Sequence, residues 1–249
     1  MGAVNDAVKK LEEQQDATAK ELKASLEMLS TLAEAKKREL MAEVETRMNL
    51  ARQDAQHSNN QVPPGLMLYE YGETRVATAQ GPAAGITNAI NGLLQNAAEN
   101  WRNAVSSLAT VALNTLLGAG SGASTNTSLY MVAMDGQPAH DGVEDSQVVV
   151  RIDYCLWTYN FASNGVKDVA QSAIAYFARK SLIDYSHIGS DVAIEQLLTV
   201  TGLNKALRDE LMAKIAKEKE NKGRTPALNA YAGRLPDPVR EHVTRHFAF

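Results

Sequence analysis

"QVVVRIDYCLWTYNF" (147–161) reads as one long β-strand with both of its faces covered. Its β-branched and aromatic residues suit a pleated, packed surface. Successive strand side chains point to opposite faces of a sheet. Val148, Val150, Ile152, Tyr154 and Leu156 therefore form one apolar face, and Val149, Arg151, Asp153, Cys155, Trp157, Tyr159 and Phe161 form the other. Arg151 and Asp153 are neighbours on the second face and are placed to pair. The aromatic end from Trp157 onward predicts that a helix covers this face as well.

Working outward, "SLYMVAM" (128–134) is a second strand, joined to the first by the acidic loop "DGQPAHDGVEDS" (135–146). "LMLYEYGETRVATAQ" (66–80) predicts a hairpin turning at Gly72 and Glu73. Residues 4–56 predict one long helix. Val4, Val8, Leu11, Leu22, Leu26, Leu29, Ala33, Leu40, Val44 and Met48 recur there in three- and four-residue steps, with Lys, Glu, Arg and Gln between them. Gln15 and Lys36 interrupt that seam, so it serves either packing within the chain or coiled-coil pairing with another. "HSNNQVPPG" (57–65) ends it. The tail predicts helices over 166–185, 191–200, 203–220 and 238–247, the last with Asp237 as cap and Pro238 at its first position. The expected fold is α+β and predominantly helical, a small antiparallel sheet surrounded by helices. Residues 1–61 form a long amphipathic helix and 62–249 an α+β domain.

Charge narrows the function. A net charge of −4 and a pI near 5.8 argue against nucleic-acid binding, which needs a clustered basic surface. The N-terminus lacks the apolar core of a signal peptide, and no apolar run is long enough to span a bilayer. The chain is expected to be made soluble, then to stay in the cytoplasm or leave by a dedicated export route.

Against an overall charged content of 22%, the stretch from Val76 to Met134 carries only Glu99 and Arg102. Within it, residues 86–117 predict a helix with a possible break at Gly92. Its apolar stripe is Ile86, Ile90, Leu93, Leu94, Trp101, Val105, Leu108, Val111 and Leu116. Its polar face is Asn, Gln, Ser and Thr instead of Lys and Glu. A charge at a bilayer centre costs about 2.5–3.5 kcal/mol on insertion scales, so an uncharged face is much cheaper to move into lipid. The stripe is thus a candidate membrane-interacting element. The plainer alternative is a helix enclosed by the protein, its neutral face hydrogen-bonded internally.

Cys155 is the single cysteine, so it has no internal disulfide partner. A free cysteine on a covered strand is ordinarily a small core hydrophobe. Its sharper uses are acylation, or nucleophilic catalysis if His140 and Asp141 fold over it from the acidic loop. The charge-poor helix, the small sheet among helices and the strand cysteine in "IDYCLWTY" (152–159) resemble the Erwinia virulence factor family in layout, over residues 66 to about 200. That family comprises bacterial proteins that promote persistence in the insect gut and carry a fatty acyl thioester on a buried cysteine. The resemblance implies that Cys155 takes the acyl chain, a covalent fatty acid being the one prosthetic group expected.

His242 and His246 stand one helical turn apart but lack the glutamate of a zinc-protease motif and a third ligand. Asp135, Asp141, Glu144 and Asp145 miss the spacing of a calcium loop and read as a solvated acidic loop. No metal ligand or catalytic residue is assigned. The leading expectation is a virulence or toxin-like protein acting on membrane lipid through residues 86–117. The alternatives are a non-catalytic assembly protein forming homo-oligomers through its N-terminal helix, and a cysteine-dependent hydrolase or acyltransferase.

Overall fold

In the computed structural model, residues 17–53, 65–77, 92–117, 124–142, 144–160, 172–183, 203–221 and 225–247 are described. Along the chain run α1 (Ala17–Gln53), β1 (Gly65–Ala77), α2 (Glu99–Leu117), β2 (Ser124–Asp135), β3 (Val148–Asn160), β4 (Ser172–Ile183), α3 (Lys205–Glu220), α4 (Pro226–Ala232) and α5 (Asp237–Phe247). The fold is α+β: one antiparallel sheet, ordered β1–β4–β3–β2, with five helices among the described residues.

The expected strand is β3, interior in the sheet and buried from Val148 to Thr158. Its first face is Val148, Val150, Ile152, Tyr154 and Leu156, packed in one cluster with Trp101 and Val105 of α2, Leu211 and Ile215 of α3, and Tyr231 of α4. On the other face, Cys155 and Trp157 join Phe177 of β4 and Leu26, Ala33, Leu40 and Val44 of α1. Val149 departs from the alternation: it belongs to the larger cluster together with Met134, its ladder partner.

Several expectations are corrected. The hairpin over 66–80 is one continuous strand, β1, paired with β4 from Gly65↔Ile183 to Ala77↔Ser172. Gly72 lies inside that strand because the stem of Lys37 passes over it: a Cβ there would come 3.2 Å from the Lys37 Cδ. Glycine in a strand interior often marks such a close approach. The helix expected over 166–185 is overturned by β4, since residues 172–183 form a buried strand. Ile174, Tyr176, Ala178, Lys180 and Leu182 face one way there, and Ala173, Ala175, Phe177, Arg179 and Ser181 the other, as the ladder with β3 requires. Its three alanines carry helix propensity, but burial on both faces overrides it.

The break expected at Gly92 falls just after it: Gly92 and Leu93 are helical, and the helix then gives way to a turn. Leu94 to Ala97 form a turn closed by the Ala97 N–H to the Leu94 carbonyl, 2.9 Å, and α2 starts at Glu99. Gln137 from the β2–β3 loop donates to the Asn96 carbonyl at 2.8 Å, satisfying a group that the break frees. Strand 128–134 extends to Ser124–Asp135. Helix α4 was absent from the sequence reading, although Thr225 caps it from Leu228 N–H at 3.3 Å and Pro226 stands at its first position. In α5, Asp237 lies in the first turn and pairs with Arg240, while the Pro236 carbonyl receives the Val239 and Arg240 N–H groups. The helical stretches expected over 4–16, 54–56, 86–91 and 191–200 lie outside the described residues.

Helix α1 packs through one stripe only. Leu40 is 1% exposed in the α1–sheet seam, whereas Met28 is 73% exposed. Leu40→Ala is expected to lower the urea unfolding free energy by about 2–5 kcal/mol. Met28→Ala should stay within roughly 0.5 kcal/mol of the parent. Equal effects at the two positions would show that α1 is not held by this seam.

Candidate functional site

Cys155 sits mid-strand on the face under α1, opposite Ser128 on β2 and Phe177 on β4. Its sulfur lies 3.0 Å from the Ser128 hydroxyl, and that hydroxyl donates to Glu43 of α1 at 3.4 Å. Glu43 in turn pairs with Arg47 one turn along. Burial pushes the thiol up to about 11; the Ser128 bond lowers it and the Glu43 charge raises it further. The sulfur is therefore held neutral and enclosed, the opposite of the exposed, electropositive setting that activates a cysteine.

His140 and Asp141 pair with one another at 2.7 Å, both well exposed. Ser128, the ladder partner of Cys155, lies roughly 20 Å along β2 from the loop that carries them, at about 3.3 Å per residue. The structure does not bring His140 or Asp141 to the thiol.

The charge-poor stripe divides. Leu93, Leu94, Trp101 and Val105 are all buried in the larger core. Val111 points outward, 62% exposed. Asn103 and Ser107 are exposed on the same side of α2, a turn or more beyond Glu99, the charge exposed at its start. Leu108 and Leu116 belong to α2, their side chains outside the described set, and Ile86 and Ile90 lie outside the described residues. No described helix is long and apolar enough to cross a membrane.

The expected Arg151–Asp153 pair is present and buried, with Nε donating at 3.0 Å. The sequence reading missed what surrounds it. Arg179 of β4 binds Glu45 of α1 at 2.6 Å and Glu70 of β1 at 3.0 Å, tying three elements together. Arg47 and Arg151 both stand over the Tyr130 ring, at 5.6 and 5.9 Å.

A second buried charge lies on the opposite face. Asp135, expected in a solvated loop, is fully buried at the end of β2. Lys180 donates to its Oδ2 at 2.7 Å and the Tyr231 hydroxyl donates to the same oxygen at 2.6 Å. Burial, then the Asp135 charge, holds the Tyr231 phenol well above its usual range. The alternation of "SAIAYFARKSLI" (172–183) places Lys180 on this face, a signal hidden by reading that stretch as helix; nothing local points to its partners.

Among the described residues no three His, Cys, Asp or Glu side chains gather as a metal site. His242 and His246 are exposed, the latter edge-to-face with Phe247 at 4.9 Å. No family model, curated protein or solved structure matches the chain.

Cys155 is expected to react with an aromatic disulfide only as fast as the protein opens. An ordinary thiol titrates near 9 and this one at about 11 when folded. The neutral thiol thus supports the fold fully below the lower value, and that support is lost as pH rises toward the upper one. Cys155→Ala should flatten the fall in urea stability across that window; an unchanged slope would place the titration elsewhere. Asp135→Ala, which leaves the buried Lys180 unpaired, is expected to cost about 3–5 kcal/mol in the same assay.

Proposed function

We propose that this is a bacterial virulence or toxin-like protein that acts at membrane lipid without catalysis, through the charge-poor segment around α2. The observation that carries the reading is the outer face of α2, where Asn103, Ser107 and Val111 are exposed and uncharged. Such a face sheds little hydration energy on meeting a bilayer, and interfacial binding grows with the apolar area it buries. Trp101 and Val105 keep the inner face on the sheet. Contact is therefore at the surface first, and any deeper insertion requires α2 to leave the core. The layout resemblance adds a fatty acyl thioester on Cys155, whose chain would occupy the seam between α1 and the sheet. The same reading takes the fold as predominantly helical, with an amphipathic N-terminal helix reaching back through Leu11, Val8 and Val4.

An assembly protein pairing through α1 is the second reading. Met28 and Leu32, one turn apart, are 73% and 40% exposed on its outer side. Against that, the seam residues Leu26, Leu40 and Val44 are already spent on the sheet.

Liposome flotation separates the two. The full chain is expected to float with anionic or zwitterionic vesicles somewhere between about pH 4 and about pH 8. Val111→Lys should reduce flotation while leaving the melting temperature unchanged, because the side chain is already in solvent. Intact mass before and after hydroxylamine reads the thioester. Protein that neither binds nor permeabilises vesicles at any pH in that range rejects the membrane reading, and a stable oligomer inert to lipid supports the second.

A further inference from the structure

A cavity of about 720 Å³ opens on the sheet face opposite α1. It forms where β1 meets the turn before α2 and the α4–α5 connection. The ladder explains the position: Tyr69 and Tyr71 of β1 and Lys180 of β4 share this face, while Glu70, Gly72 and Arg179 turn to α1. The register of β1 slips between Met67 and Tyr69, leaving Leu68 as the extra residue beside the cavity. Bulges of this kind re-aim side chains and are frequent beside binding sites. The volume falls within the range of small-molecule sites, about 300–1,000 Å³.

Among the described residues the lining contains two cations, Lys180 and Arg234, and no carboxylate. Lys180 is 6% exposed, and its ammonium is held by the buried Asp135 at 2.7 Å. That pair cancels. The exposed Arg234 guanidinium has no ion-pair partner among the described residues, so it is the one unpaired cation of the described lining; the Glu73 carboxylate beside Tyr71 is taken up by the Tyr71 and Tyr176 hydroxyls. Leu235 and Val239 form an apolar wall, Tyr69 an aromatic one, and Gln95 a neutral polar edge.

We propose that this cavity binds a small organic monocarboxylate with an apolar body. The carboxylate pairs with the planar fork of Arg234, within the field of Lys180, and the body lies against Tyr69, Leu235 and Val239. A single positive charge matches a monoanion better than a phosphate dianion, and the guanidinium fork fits a carboxylate bidentately. This site is separate from the lipid-facing side of α2 and stands independently of the membrane reading.

The test is calorimetric titration of the full chain with octanoate and with 3-phenylpropionate, using octanamide, 3-phenylpropanamide and inorganic phosphate as controls. At least one acid is expected to bind at least about tenfold more tightly than its amide and than phosphate. A preference for octanoate points to lipid-derived acids, and one for 3-phenylpropionate to aromatic acids. Arg234→Gln should weaken acid binding by roughly tenfold at unchanged melting temperature. Tyr69→Ala, at a half-exposed position, should weaken acid and amide alike. Val111→Lys should leave acid binding intact even where it abolishes vesicle flotation. The proposal is overturned if neither acid binds at about 10 mM, if acid and amide bind equally, if phosphate binds as tightly as the acids, or if Arg234→Gln binds like the parent.

Discussion

Everything in this fold follows from burying β4 on both sides. The strand is interior, between β1 and β3, and is buried from Ala173 to Ile183. One covered face requires α1, whose leucines meet Ala173, Ala175 and Phe177. The other requires the helical layer that meets Ile174, Tyr176 and Leu182. Small alanines on the α1 side let a long helix approach closely, and the aromatics on either side fill what remains. Remove either cover and β4 would present one apolar face, with Arg179 or Lys180 on it, to water.

Those two adjacent cations show how the burial is made tolerable. As neighbours in a strand they point to opposite faces. Arg179 finds carboxylates on α1 and β1, and Lys180 finds Asp135 and, through it, Tyr231. A buried charge without such a partner costs several kcal/mol, so each cation constrains where its acidic partners can lie. Glu45 and Glu70 fix α1 and β1 relative to β4, and Asp135 fixes the end of β2. The paired charges act mainly as registration, while the apolar clusters supply the driving force. Cys155 belongs to the same seam as Arg179, but as a neutral, enclosed group hydrogen-bonded to Ser128.

The sequence was most legible where one physical signal dominated. β3 was readable because its alternation survives from Val150 onward and predicts the Arg151–Asp153 pair and the cover over Cys155. α3 and α5 were readable from their spacing. β4 was not, because alternating residues with three alanines among them satisfy a helical count as readily as a strand count when no partner strand is known. Gly72 misled for a related reason: a glycine between β-prone arms marks a turn or a close approach, and only the position of Lys37 decides. The site followed the same rule. Cys155 was found from its strand. The Lys180–Asp135–Tyr231 cluster was missed, since three residues from β4, β2 and α4 carry no local spacing that announces them.

The two faces of the sheet therefore have different chemical prospects. Under α1 the side chains are sealed: the thiol is neutral, and Asp153 and Arg151 are spent on each other. Chemistry there requires α1 to lift, which the Glu45–Arg179 pair and the Leu26–Val44 seam oppose together. On the other face the described helices leave an opening beside β1, because the chain breaks at Leu94–Ala97 and turns between α4 and α5 at Arg234–Pro236. The break places backbone turns, instead of a continuous helix, along one rim of the sheet. A cation can then stand at an open edge while its buried neighbour Lys180 is held by Asp135. A recognition site on this molecule is easier to build at that rim than in the seam, since ligand entry there separates no packed elements.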